Sequence, residues 1–358
     1  MTYTPLEQNV ITLVHIPELT YNTRHILLSD LNGTQPDFAK FEDGLIKKLS
    51  RGVYNKVRAK FESTEFRKEI FEGLERKGIT CVTLFSDGYP ENLKHIDLPP
   101  HVLFCKGDIS LLKTRCFSVV GSRKSLPKTV ADCRQIAGEI AQKFTVVSGT
   151  AQGADSAAIE GALAKGKAIC VLAHGHDHNY PVTSAALKRR AENEGLVISE
   201  YLPAEKPKAY YFPVRNRIIA GLSEGTLIVS APKKSGAIIT ANLAADYGRN
   251  VFAFPYSLGV ASGEGCNDLI KNGAALTENI LDIFSAFGLD FNTPQAKQMT
   301  ADESAVYEKV VSLGEAFLPE VADALKKQPY EIIAVMSSLE IKGLIARLGG
   351  NRFSAVRN

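Results

Sequence analysis

From about Thr80 onward the chain alternates short, uniformly apolar runs with stretches of helical length, and few folds accept that texture. The runs are FSVV (117–120), TVVS (145–148), AICVLA (168–173), LVISE (196–200), TLIVS (226–230) and VFAF (251–254). A strand that is apolar on both sides must be covered on both faces, the condition of a parallel sheet held between its crossover helices. Between the first two runs Val130, Cys133, Ala137, Ile140, Ala141 and Phe144 recur at three- and four-residue steps and form one stripe of a helix. That stripe predicts a crossover helix lying on the sheet, and the whole pattern predicts an α/β domain over residues 79–287.

Both flanks read differently. Residues 1–78 carry helical spacing in EQNVITLVHI and TRHILLSDL, broken by IPEL and LNGTQPD, and predict a small all-helical domain. Residues 288–300 are polar, contain a proline and read as a linker. Residues 301–358 give three helical stretches and then ARLGGNRFSAV, where Gly349 and Gly350 would turn a hairpin. Three helices and a hairpin describe a winged helix. The start, MTYTPLEQNV, has no basic segment leading into an apolar one, and no run approaches the ~18 apolar residues of a membrane span. A cytoplasmic protein without a membrane role is expected. The six cysteines are scattered without a C-x-x-C pair and are expected to be reduced and mostly buried.

The balance of 42 Lys plus Arg against 39 Asp plus Glu excludes a molecule coated in positive charge, so any contact with a polyanion must come from cations gathered in one groove. In open parallel sheets ligands bind beyond the carboxyl ends of the strands. Three loops there are unusual: Gly121-Ser122-Arg123-Lys124, Gly149-Thr150-Ala151-Gln152-Gly153 and Lys233-Lys234-Ser235-Gly236, each ahead of a helix. Helix N-termini offer unpaired N–H groups and a partial positive charge, and glycine admits a phosphate close to the backbone. Small residues also serve simply to turn a strand tightly into a helix. Residues 115–128 contain no acidic residue, and a second basic element, Arg215-Asn216-Arg217, follows Tyr210, Tyr211 and Phe212. Guanidinium groups hold phosphates, and aromatic faces stack unpaired bases at about 1–3 kcal/mol each, although these rings could equally pack beneath the loop.

Other chemistries fit poorly. The dinucleotide fingerprint G-x-G-x-x-G is absent after the first strand. GALAKGK at 161–167 has Ala168 where a phosphate loop needs Ser or Thr, and it precedes a strand. His174, His176 and His178 alternate in HGHDHNYP, but no further ligands complete a metal shell, and they read as solvated loop histidines. Neither a nucleophile with its base nor paired carboxylates stand at the crevice: Glu200 and Asp155 come near it in sequence, and Asp155 reads as the N-cap of its helix. No catalytic residue, metal or cofactor is expected.

From Tyr89 to Thr277 the chain carries, in order, YPENLKHIDLPPHVLFCKGD, VVGSRK, VVSGTAQGAD, HGHDHNYP, GLVISEY, FPVRNRIIAGLSEGTLIV, SGAIITANLAADYGRNVFAFP and GCNDLIKNGAALT, and in this it resembles the DNA-processing protein A family (DprA, also called Smf). The resemblance implies an extended Rossmann-like domain that binds single-stranded DNA, forms a homodimer and hands the strand to the RecA recombinase during natural transformation. It implies nucleic-acid contacts from Gly121, Ser122 and Arg123, from Arg215, Asn216 and Arg217, and from Ser235, Gly236 and Thr240. To these the physical reading adds Lys124, Gly149, Gly153, Tyr211 and Phe212. Ala154 and Ile159 around Asp155, and Ser230 in place of a glutamate, depart from the family pattern and speak against acid or base chemistry. The N-terminal helices resemble its sterile-alpha-motif or helix-hairpin-helix region, with IPEL lacking the glycines of a DNA-gripping hairpin. The cations Lys47, Lys48, Arg51, Lys56, Arg58 and Lys60 read as a solvated helix face. LEIKGLI resembles the family's winged helix, but its unit holds eight acidic and seven basic residues, which suits protein contact or regulation more than DNA grip. The rival expectations are a nucleotide-binding relative and a nucleotide phosphoribohydrolase, the latter without its P-G-G-x-G-T-x-x-E motif here.

Overall fold

The computed structural model describes residues 2–290, 299–348 and 352–356. Its N-terminal flank forms the helices α1 (Pro5–Val14), α2 (Tyr21–Ser29), α3 (Phe38–Leu49), α4 (Arg51–Glu62) and α5 (Thr64–Arg76). Thr4, Thr20, Asp37 and Ser63 each accept a backbone N–H of the turn they open, which fixes four of the five starts. The flank is not wholly helical, contrary to the expectation from its spacing. The LNGTQPD break is a small hairpin, β1 (Leu31–Asn32) against β2 (Gln35–Pro36), because Gly33 takes the positive φ of 64° that a tight turn needs.

The central sheet contains β3 (Thr80–Thr83), β4 (Val102–Gly107), β5 (Cys116–Gly121), β6 (Thr145–Ser148), β7 (Ala168–Val171), β8 (Leu196–Ser199), β9 (Gly225–Ser230), β10 (Asn250–Ala253) and β11 (Ala275–Leu276). Its order is β11-β10-β9-β5-β6-β7-β8-β4-β3. All six apolar runs are strands of its parallel part. β4 runs antiparallel to β8, and β3 to β4, so the sheet is mixed rather than parallel throughout. The connections on either side of β4 hold only α6 (Glu91–Lys94) and a 3₁₀ turn, too little to cross over the sheet.

One face is covered by α7 (Pro127–Ile140), α8 (Ala154–Lys165), α9 (Ala185–Glu194) and, across the intervening segment, α13 (Ile280–Ala286). The other is covered by α6, α10 (Tyr211–Leu222), α11 (Gly236–Asp246) and α12 (Glu264–Lys271). The expected crossover stripe is real: Cys133, Ala137, Ile140, Ala141 and Phe144 are buried in the first core, the last two just past the end of α7. β5 sits between β6 and β9, and the chain leaves β5 toward one face and β9 toward the other. This reversal opens a crevice beyond their carboxyl ends.

The N-terminal helices share a core with Cys81, Val102 and Phe104 of the antiparallel edge. The C-terminal unit has its own core, built from α14 (Ala301–Leu313), β12 (Glu315–Phe317), α15 (Leu318–Leu325), α16 (Pro329–Ile341), β13 (Ile345–Leu348) and β14 (Arg352–Ala355). Its strands pair antiparallel in the order β12-β14-β13. The Gly349-Gly350 turn and linker positions 291–298 lie outside the described residues. All six cysteines are free and buried.

Candidate nucleic-acid interface

The crevice at the sheet reversal has a volume of about 470 Å³, and Arg123, Lys124, Phe212, Arg215, Lys234 and Ser235 are among the side chains that line it. Its first wall is the end of β5. The strand register slips between Val120 and Gly121, and Ser122 N donates to Ser230 O at 2.8 Å, which turns the loop out of the sheet. Glycine is required at 121, since a Cβ there would lie 2.7 Å from the Ala154 Cβ. Ser122 Oγ accepts Lys124 N at 3.1 Å, and Ser122 O accepts Ser125 Oγ at 2.9 Å, so this side chain shapes the loop. Arg123 is exposed, and its guanidinium lies 5.1 Å from the centre of the Phe212 ring, a cation–π contact that orients it across the opening.

The second wall is the start of α8. Gly153 is its N-cap, with φ 85° and space for no side chain: a Cβ would stand 2.6 Å from Ser122 O. Asp155 is therefore not the N-cap. It lies in the first turn, 7% exposed, with its carboxyl group turned toward the crevice floor. Gly149 lies under both Asp155 and Arg215; a Cβ on it would approach Asp155 Oδ2 at 2.4 Å and the Arg215 Nη atoms at 2.7 and 2.8 Å.

The third wall is the start of α11. Ser235 caps it without a side-chain capping bond, and its buried Oγ has no hydrogen-bond partner among the described residues. Gly236 faces open space, with no atom within 4 Å of a would-be Cβ. Its carbonyl accepts Thr240 Oγ1 and Asn216 Nδ2, both at 3.3 Å, which ties α10 to α11 at the rim.

The arginines of the R-N-R element part company because they fall inside α10. Arg215 lines the floor, is 4% exposed and donates to Val171 O and to Asn216 Oδ1. Burial pulls its proton affinity down, and the nearby Asp155 charge opposes that. Arg217 points away from the crevice. It forms a two-pronged pair with Glu200, 2.8 Å from Nη1 and 2.5 Å from Nη2, and donates to Leu98 O and Val214 O. Its donors are engaged inside the protein. The aromatic run divides likewise: Phe212 lines the crevice, whereas Tyr211 stacks on Tyr201 at 4.1 Å and its hydroxyl donates to Glu205 at 2.8 Å. Tyr210 is 62% exposed but is not a lining residue.

Sequence reasoning gave Asp155 the wrong part; Tyr180, whose ring meets Phe212 at 5.5 Å, supports that ring without lining the crevice. Tyr180 belongs to the loop that follows β7. Its loop is also drier than expected. His174 and His176 are 1% and 3% exposed rather than solvated, and Lys188 threads beneath them to donate to His176 O and, at 2.9 Å, to His178 O. Burial pushes His176 down to about 4, so it stays neutral. No metal-binding cluster of His, Cys, Asp or Glu occurs among the described residues.

Fold and site together define an open-sheet α/β protein with a cation-lined crevice at its topological switch. The chain belongs to the DNA recombination-mediator protein A family, whose model matches residues 80–288. It is 38% identical over 206 residues to the DNA processing protein DprA of Streptococcus pneumoniae, spanning 57% of this chain and 73% of that one. It is 33% identical over 291 residues to the protein Smf of Escherichia coli, spanning 77% and 78%. The X-ray structure of DNA processing protein A from S. pneumoniae matches 82% of this chain and all of its own, with a TM-score of 0.66 and 30% identity. DNA processing protein A from Helicobacter pylori, for which a single-stranded DNA binding mode is described, matches 60% of this chain and 98% of its own at a TM-score of 0.54 and 30% identity.

Proposed function

We propose that this protein binds single-stranded DNA as a non-catalytic module, with strand phosphates in the switch-point crevice and a base against Phe212. The observation that carries this reading is the convergence on one opening of Arg123, Lys124 and Lys234, the Ser235 Oγ with no partner among the described residues, and the open space over Gly236 at the start of α11. A duplex hides its bases from a ring such as Phe212, whereas a single strand offers them. Arg215 serves this site from beneath, as a buried brace.

The reading extends, as the family resemblance implies, to a homodimer that hands its strand to the RecA recombinase in the cytoplasm. The C-terminal unit then acts as a winged helix that meets protein rather than DNA. Its α16 shows solvent an apolar stripe of Tyr330, Ile333 and Ile341, exposed 72%, 52% and 86%, where a DNA-reading helix would carry cations.

The test is binding of oligothymidylate and of duplex DNA across a salt series, followed by incubation to check that the oligomer stays intact. The single strand should bind preferentially and come through uncut. Replacing Arg123 by Ala should weaken binding and flatten the dependence of log K on log salt by about 0.7 for the phosphate it neutralised. An unchanged slope and affinity in that variant refutes the site; cleavage of the oligomer, or free base released from nucleoside monophosphates, refutes the non-catalytic reading.

A further inference from the structure

We propose that Asp155 makes anion binding in the crevice proton-coupled: a phosphate seated there is accompanied by protonation of this carboxyl group, and the grip tightens as pH falls. The inference rests on the reading of the crevice as a phosphate site and adds a regulation to it.

The geometry is an anion placed among cations. Arg123, Lys124, Arg215 and Lys234 line the crevice, and Asp155 lines it with them while remaining 7% exposed. Arg215 from α10 and Arg123 from the loop after β5 face its charge, and the backbone N–H groups of Gly121 and Ala151 support its ionised form. The thiols of Cys133 on α7 and Cys170 on β7 also sense it, but burial pushes both upward, Cys170 to about 12, so they stay neutral. Arg215 and Asp155 flank the same glycine, Gly149, and cancel each other across the floor. An entering phosphate then meets a floor of no net charge with a carboxylate beneath it. Once that carboxylate takes a proton, the Arg215 charge is left for the phosphate. A ligand that favours the protonated form must take up a proton on binding.

The sign and the window follow. Burial raises the proton affinity of Asp155 from its ordinary value, although Arg215 opposes it, and a bound phosphate raises it further. Affinity therefore climbs as pH falls through the value of the DNA-bound protein and levels off below that of the free protein.

The experiment measures oligothymidylate binding to the full chain at constant ionic strength from about pH 5.5 to pH 8.5, for the wild type and for Asp155→Asn. Calorimetry in two buffers of different ionisation enthalpy is run on the wild type in parallel. The wild type should tighten toward acid, with log K changing by at most one unit per pH unit, and should take up a proton. Asp155→Asn should lose that slope and bind several-fold tighter than the wild type at the alkaline end. A slope retained by Asp155→Asn, or wild-type binding with no proton uptake, overturns the inference. If the variant does not fold, wild-type calorimetry alone decides. Failure of the wild type to bind at any pH overturns the crevice reading itself; binding that depends on Arg123 but takes up no proton overturns only the coupling.

Discussion

At the residue scale, the R-N-R element shows how a composition can be right while its geometry is wrong. Residues two apart on a helix point about 200° apart, so Arg215 and Arg217 cannot serve the same opening once FPVRNR becomes the first turns of α10. Arg217 instead meets Glu200 where both side chains are nearly buried, 10% and 13% exposed. Replacing Arg217 by Ala strands that carboxylate and is expected to cost about 3–5 kcal/mol of stability, read as a lower denaturation midpoint. The folded fraction should keep its affinity for single strands. Arg123 behaves oppositely, because it is exposed and lies over the Phe212 ring: its loss should reduce affinity and leave the melting temperature almost unchanged. Which of three arginines faces the crevice opening was not legible, since residue type gives charge but not direction.

At the element scale, the glycines separate fold from site. α7 and α8 cross so closely that a Cβ on Gly161 would stand 1.9 Å from Arg134 O, a backbone atom with nowhere to go. Replacing Gly161 by Ala must push the two helices apart, with a cost above the about 1–3 kcal/mol of ordinary overpacking. A Cβ on Gly236 meets nothing, yet this residue opens α11 on the crevice wall. Replacing it by Ala should leave the denaturation curve in place and weaken DNA binding, because the methyl group occupies the space a phosphate would approach. Both residues belong to glycine-containing stretches that look alike in sequence. Only the first proves to be a packing glycine, because only the tertiary structure brings α7 against it.

At the scale of the whole molecule, the three segments separated by composition are not equally separate in their packing. The C-terminal unit has its own core, so a chain ended at residue 290 should fold and keep its affinity for oligothymidylate. The N-terminal helices bury Cys81, Val102 and Phe104 of the sheet edge, so a chain begun at residue 79 should expose that edge and aggregate, as light scattering would register. The sequence by itself determined the six central strands, their crossover helix and the strand-end loops that meet at the crevice, because apolar periodicity and turn chemistry are local properties. Only the tertiary structure decided the antiparallel edge, the inward turn of Arg217, the dry histidine loop and the carboxyl group among the cations. Each of those depends on which distant segment lies opposite and how much water it removes, and that information is held by no single stretch of chain.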